Sequence, residues 1–243
     1  DGSSPIYSTT QQLEQWRLFL WKKHQPTDLE ATRPKPPVGP LPQWTLTQPL
    51  FDAALSMLKG GVALGPSEVD VAVVKHCPPR LSYRHILTKA IETIDIPMSL
   101  VKGLVTLLYK KGPVSDYFNY RPLTVTNTGA KILSAVLFVK LVEQCSHFIP
   151  QWQRAYMKNR SHVDLLYSMT TLFRALIQRG RSAVALFLDW RSAFPSISHK
   201  FLQLALKRAG ADARVRALIA QMYRPAQNQV QLNGQRSVGH TRR

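Results

Sequence analysis

The stretch ALFLDWRSAFPSISH (residues 185–199) places a lone acid, Asp189, directly after an apolar run that begins at Ala183, and follows it with an aromatic and a proline. Unbroken apolar character from Ala183 to Leu188 predicts a strand buried on both faces. A carboxylate left unpaired in apolar surroundings neutralises, so an aspartate at the exposed end of such a strand calls for a cation or hydrogen-bond donors in front of it. A divalent metal is one such cation. A cap on the following turn, or a pair with Arg191, is the plainer alternative.

Working outward, the patterns alternate between helix and strand. LVTLLY (Leu104 to Tyr109) and YRPLTVT (Tyr120 to Thr126) predict two strands joined by the loop KKGPVSDYFN, a long hairpin with a basic tip. TGAKILSAVLFVKLVEQC, from Thr128, carries Ile132, Leu133, Val136, Leu137 and Leu141 at helical spacing. Beyond Pro150, Leu165, Met169, Leu172 and Leu176 predict a second amphipathic helix. His199 to Ala209 and Asp212 to Tyr223 also read as helices, and QNQVQLNG as a strand closed by an Asn-Gly turn. Upstream, QLEQWRLFLWKKH predicts a helix, ATRPKPPVGPLPQW an extended proline-rich connector, and TLTQPLFDAALSML a short helix ending in the glycine turn GGVALGPSE. The mixture predicts an α+β or α/β fold.

Lysine plus arginine outnumber aspartate plus glutamate by 32 to 14, a net charge of +18, and the basic residues are scattered along the chain. Such a surface favours a polyanion, nucleic acid first and an anionic membrane surface or ribosome-like scaffold second. Cys77 and Cys145 stand far apart with no second cysteine or paired histidine at ligand spacing, which argues against a zinc site or a disulfide framework and for a reducing compartment. No apolar run approaches the roughly 20 residues of a spanning helix, and no secretory pattern opens the chain, so a soluble protein without a membrane partner is expected. The chain starts at Asp1 and ends in HTRR. Both ends read as cuts, and a fragment is expected.

Asp189, Ala193 and Phe194 form D-x-x-x-A-F after the apolar run, which resembles the first palm motif of reverse transcriptases. VTLLYKKG, NYRPLTVTNTGAKIL, QRAYMKNRSHVDLLY, FLDWRSAFPSISHKFL and VQLNG follow one another in the order of non-LTR, LINE-type retrotransposon polymerases, and LKGGVALGPSEV resembles an eroded form of their glycine-proline motif. The resemblance covers roughly residues 50–243. It implies an α+β chain made of the fingers and partial palm of a right-hand polymerase, with an N-terminal helix and linker over 1–45, a fingers-like region over 46–182 and the start of a palm over 183–243.

The same resemblance implies the site. Asp189 matches the aspartate that holds both magnesium ions of a two-metal centre, and the main-chain carbonyl of Trp190 completes one of them; magnesium favours hard oxygen ligands of this kind. Ser192 and Ala193 match the backbone donors to the nucleotide's phosphates, and Phe194 the aromatic under the incoming sugar, whose edge excludes a 2′-hydroxyl. Ordinary core packing is the plain alternative for Phe194. Lys110, Lys111 and Arg121 match the basic finger hairpin that closes on the triphosphate, with the choice between the two lysines open. Gln153, Arg154, Tyr156 and Arg160 match a template-side segment. The implied partners are an RNA template, a DNA primer and deoxynucleoside triphosphates, in the nucleus or cytoplasm by analogy with LINE-type elements.

The chain departs from the pattern at Ala155, where the family has glycine, and at Pro195, where it commonly has a second aspartate. After Asp189 the remaining acid is Asp212, so nothing matches the paired aspartates that complete the metal site. The expectation is a parent RNA-directed DNA polymerase and a fragment that does not itself polymerise. A decayed, non-catalytic nucleic-acid-binding module and a group II intron-type maturase are the competing readings.

Overall fold

The computed structural model describes residues 8–23, 41–77, 79–157, 159–190, 193–223, 227–237 and 240–241. Ten helices run among them: α1 (Thr9–Lys23), α2 (Gln48–Met57), α3 (Val71–His76), α4 (Pro79–Thr93), α5 (Met98–Val101), α6 (Thr128–Cys145), α7 (His162–Gln178), α8 (Ala193–Ser196), α9 (His199–Arg208) and α10 (Ala213–Met222). The strands are β1 (Gly103–Tyr109), β2 (Tyr120–Thr126), β3 (Gln227–Leu232), β4 (Gln235–Arg236) and β5 (His240–Thr241). The fold is α+β, as expected.

Helix α6 is the axis of the larger core. Its apolar residues wrap most of the way round, so it must be covered on several sides. Ile132, Leu133, Val136 and Leu137 are buried with Phe51 and Leu55 of α2, Leu87 and Ile91 of α4, and Val215 and Leu218 of α10. Local chemistry starts these helices where they start. Thr47 Oγ1 accepts from Leu50 N at the head of α2, Asp70 from Ala72 N at α3, and Asp212 from Val215 N at α10. Asp212, predicted to lie within a helix, is the cap before one.

A small sheet forms the second layer, in the order β2-β1-β3-β4 with β5 also on β3. The predicted hairpin is present: β1 and β2 pair antiparallel from Gly103↔Thr126 to Tyr109↔Tyr120. β3 runs parallel to β1, with Val105↔Val230, so the long intervening stretch is a crossover. The Asn-Gly turn holds, with Asn233 and Gly234 both at positive φ between β3 and β4. Helix α1 lies across this sheet and buries Leu13, Trp16 and Leu20 against Val105 and Val230.

The predicted buried strand at Ala183–Leu188 is not formed. Residues 181–190 have no regular secondary structure and are exposed throughout, with Val184 at 97% and Leu186 at 81% of full exposure. An apolar run becomes a strand when a neighbour supplies its ladder partners. Among the described residues no strand lies beside it. Helix α7 forms where predicted, with Ser161 and Asp164 closing a capping box, but none of its residues is buried. Among the described residues no helix is long and apolar enough to cross a membrane.

Candidate nucleic-acid interface

The loop between β1 and β2 is built rather than merely tolerated. Lys110 N donates to Asn119 O at 2.8 Å, Asn119 Nδ2 to Pro113 O at 2.9 Å, and Tyr120 Oη to Val114 O at 3.0 Å. Gly112 turns the chain at φ +99°, and Tyr109 Oη donates to its carbonyl. Any side chain there would meet Asn119 as well as the left-handed backbone. Lys110 and Lys111 stand exposed on this frame.

Register decides where Arg121 points. It lies directly opposite Leu108, and facing residues of an antiparallel pair share a face. Tyr109 and Tyr120, one position along, face α1, where Trp16 meets Tyr120 edge-on with ring centroids 4.9 Å apart. Arg121 therefore occupies the opposite, solvent-facing side with Leu108 and Leu123. Trp16 and Phe19 also hold Tyr117, at 4.5 and 5.4 Å, so α1 grips the base of the basic loop. Local sequence pattern does not tie α1 to the site, since its contacts with Tyr117 and Tyr120 join segments about 100 residues apart. Its signal was the helical spacing of Leu13, Trp16 and Leu20.

The glycine-proline segment docks at the far end of this hairpin. Asn127 Oδ1 accepts from Ser67 N at 2.7 Å, its Nδ2 donates to Ser99 O, and Thr128 Oγ1 donates to Val69 O. Lys131 Nζ reaches Ala63 O at 3.0 Å, and Glu68 pairs with Arg236 of β4 at 2.8 Å. Residues spread over three sequence motifs thus lock the hairpin, α6 and β4 together.

Residues 150–157 fold into an irregular turn that Arg160 closes. Arg160 Nη1 donates to Pro150 O and to Gln153 O, both at 2.9 Å. Gln153 Nε2 donates to Ala155 O at 3.3 Å, and Arg154 Nε is buried without a hydrogen-bond partner. Tyr156 sits at φ +61° and Asn159 at φ +58°, left-handed conformations that a bulky tyrosine rarely adopts. The ring of Tyr156 meets Phe194 of α8 edge to face, with centroids 6.2 Å apart. Two of the predicted site segments are thereby brought together.

Asp189 and Trp190 lie on the exposed run, and Ala193 and Phe194 are exposed on α8. Ser192 falls outside the described residues. Among the described residues no group of three or more histidine, cysteine or acidic side chains is placed to hold a metal ion. One exposed carboxylate does not make the donor set of a two-magnesium centre. Burial first, then the neighbouring Asp212 charge, pushes the Cys145 thiol pKa up, which disfavours its thiolate.

No protein-family model matches the chain. It is similar to a transposon TX1 uncharacterized 149 kDa protein of Xenopus laevis, 24% identical over 151 residues. That match takes in 62% of this chain and 12% of the frog protein, so the chain spans a small part of the relative's length. The likeness is to a protein of a transposon.

Proposed function

We propose that the chain is the fingers and first part of the palm of an RNA-directed DNA polymerase from a non-LTR retroelement, and that its own contribution is to bind template, primer and nucleotide. The observation that carries this reading is the similarity to a transposon protein in a chain whose motifs follow reverse-transcriptase order. The exposed Lys110 and Lys111, with Arg121 on the open face of the same hairpin, supply a basic surface for phosphates. The net charge of +18 draws a polyanion to it.

Magnesium chemistry is assigned to the parent protein, in which Asp189 contributes one carboxylate. The donors of this chain do not suffice, so the 243-residue chain binds nucleic acid without extending a primer. The test is Asp189→Ala in the natural protein: RNA-templated incorporation should be lost while RNA binding stays within about twofold, because an exposed carboxylate gives polyanions no attraction. Retained synthesis would sink the polymerase reading. Pro195, in place of the family's acid, favours the second reading, a module that keeps the basic surface without the chemistry.

A further inference from the structure

Exposed aromatic rings stand on the turn at 150–157, at Trp190 and on α8. Trp152, Tyr156, Trp190 and Phe194 are each more than two-thirds exposed, Tyr156 at 81% and Phe194 at 74%. Of these, Tyr156 and Phe194 adjoin, and joined apolar surface left in water marks an interaction site. Basic residues are interleaved with these rings: Arg154 stands between Trp152 and Tyr156, and Arg160 follows.

The backbone is committed to this display. Tyr156 is held at φ +61°, a costly state for a tyrosine that persists when its surroundings over-determine it. Those surroundings are visible. Arg160 straps the carbonyls of Pro150 and Gln153, Gln153 N returns to Pro150 O at 3.1 Å, and Arg160 N returns to Met157 O at 3.3 Å. The strap fixes both ends of the turn that carries Tyr156. Its ring then meets Phe194 at 79°, an edge-to-face contact that leaves flat ring surface open beside the pair.

We propose that the Tyr156–Phe194 pair is a stacking step for an unpaired base of a single-stranded polynucleotide, and that Arg160 is a positioning residue that holds the step rather than a phosphate ligand. The proposal rests on the reading above that the chain binds nucleic acid, and adds to it the class of ligand, the contact and a changed role for Arg160. Every base has a π-face, so such a step recognises single strands with little regard to sequence. The positive field of the chain supplies the attraction for the accompanying phosphates.

The experiment uses the 243-residue chain and a short single-stranded oligonucleotide carrying 2-aminopurine, with anisotropy of an end-labelled copy measured in parallel. Stacking quenches the 2-aminopurine signal. Tyr156→Ala and Phe194→Ala should lose the quench and weaken binding by about 5- to 150-fold, while Tyr156→Phe restores both. Arg160→Ala should lose the quench with the salt slope unchanged. Circular dichroism checks that each variant is folded. If the chain binds with the expected salt dependence but Tyr156→Ala changes neither signal, the stacking step is overturned and the nucleic-acid reading survives. If the unmodified chain does not bind the oligonucleotide at all, that reading fails together with the proposal. A salt slope lowered by about 0.7–0.9 in Arg160→Ala would make Arg160 a phosphate contact and overturn its part as a strap.

Discussion

Gly65 runs directly against the end of β2 at Thr126: a Cβ built on Gly65 would stand 2.6 Å from the carbonyl carbon of Thr126 and 2.8 Å from Asn127 N, and closer still to the Thr126 oxygen. Real Cβ atoms do not approach backbone this closely, and backbone cannot swing aside as a side-chain tip does. Gly65→Ala is therefore expected to push the segment 61–69 off the hairpin and cost about 1–3 kcal/mol of stability. A urea midpoint unchanged by the substitution would show that the segment docks with room to spare.

Arg214 is buried on α10 and donates to three carbonyls, Pro42 O through Nε at 2.8 Å and Ile91 O and Glu92 O through Nη1 at 2.8 and 3.0 Å. The last two belong to the final turn of α4, where carbonyls lack helical partners and the helix dipole is negative. Arg214→Met keeps bulk but leaves those acceptors unsatisfied, and should cost about 2–4 kcal/mol, the loss of three charge-assisted hydrogen bonds being partly offset because a charge is no longer buried. Lysine should rescue only part of this, its donors sharing one compact nitrogen in place of a planar fork. Denaturant unfolding of the two variants checks both expectations.

The two thiols should separate cleanly by reactivity. Cys77 is exposed, whereas Cys145 is buried with its pKa raised by desolvation and by Asp212. A chromogenic disulfide reagent should titrate one thiol quickly in the folded chain and the second only on unfolding. The linkage sign follows from the raised pKa: the folded state keeps the Cys145 proton where the unfolded chain gives it up. Stability should therefore decline as pH rises above about 8.5, the ordinary cysteine value, and Cys145→Ala should flatten that decline.

Lys110 and Lys111 hang on a loop whose own hydrogen bonds use backbone, tyrosine and asparagine groups, so replacing them should leave the fold intact. If they meet phosphates, Lys110→Ala and Lys111→Ala should each lower the slope of log affinity against log salt by about 0.7–0.9. Measuring each variant separately decides between the two lysines. A slope unaltered in both would remove the hairpin tip from the interface.

Much of this protein is written in local pattern. The helical spacing around Ile132 to Leu141 and from Leu165 to Leu176, the two strand-forming runs within 104–126 and the Asn233-Gly234 turn each act within a few residues, so the amino-acid order alone determines these helices, the hairpin and the turn. The basic balance and the polyanion it favours are likewise properties of composition. What the tertiary structure decided is which local tendencies find partners. The run Ala183–Leu188 has a strand's composition and stays exposed because no described strand lies beside it, whereas Val230 is buried because β1 and α1 flank it. Arg160 is a free cation in the sequence and a strap in the fold, and Tyr156 reaches Phe194 only because distant segments converge. Such pairings depend on contacts between segments far apart in the chain, and those contacts exist only once the whole core has closed.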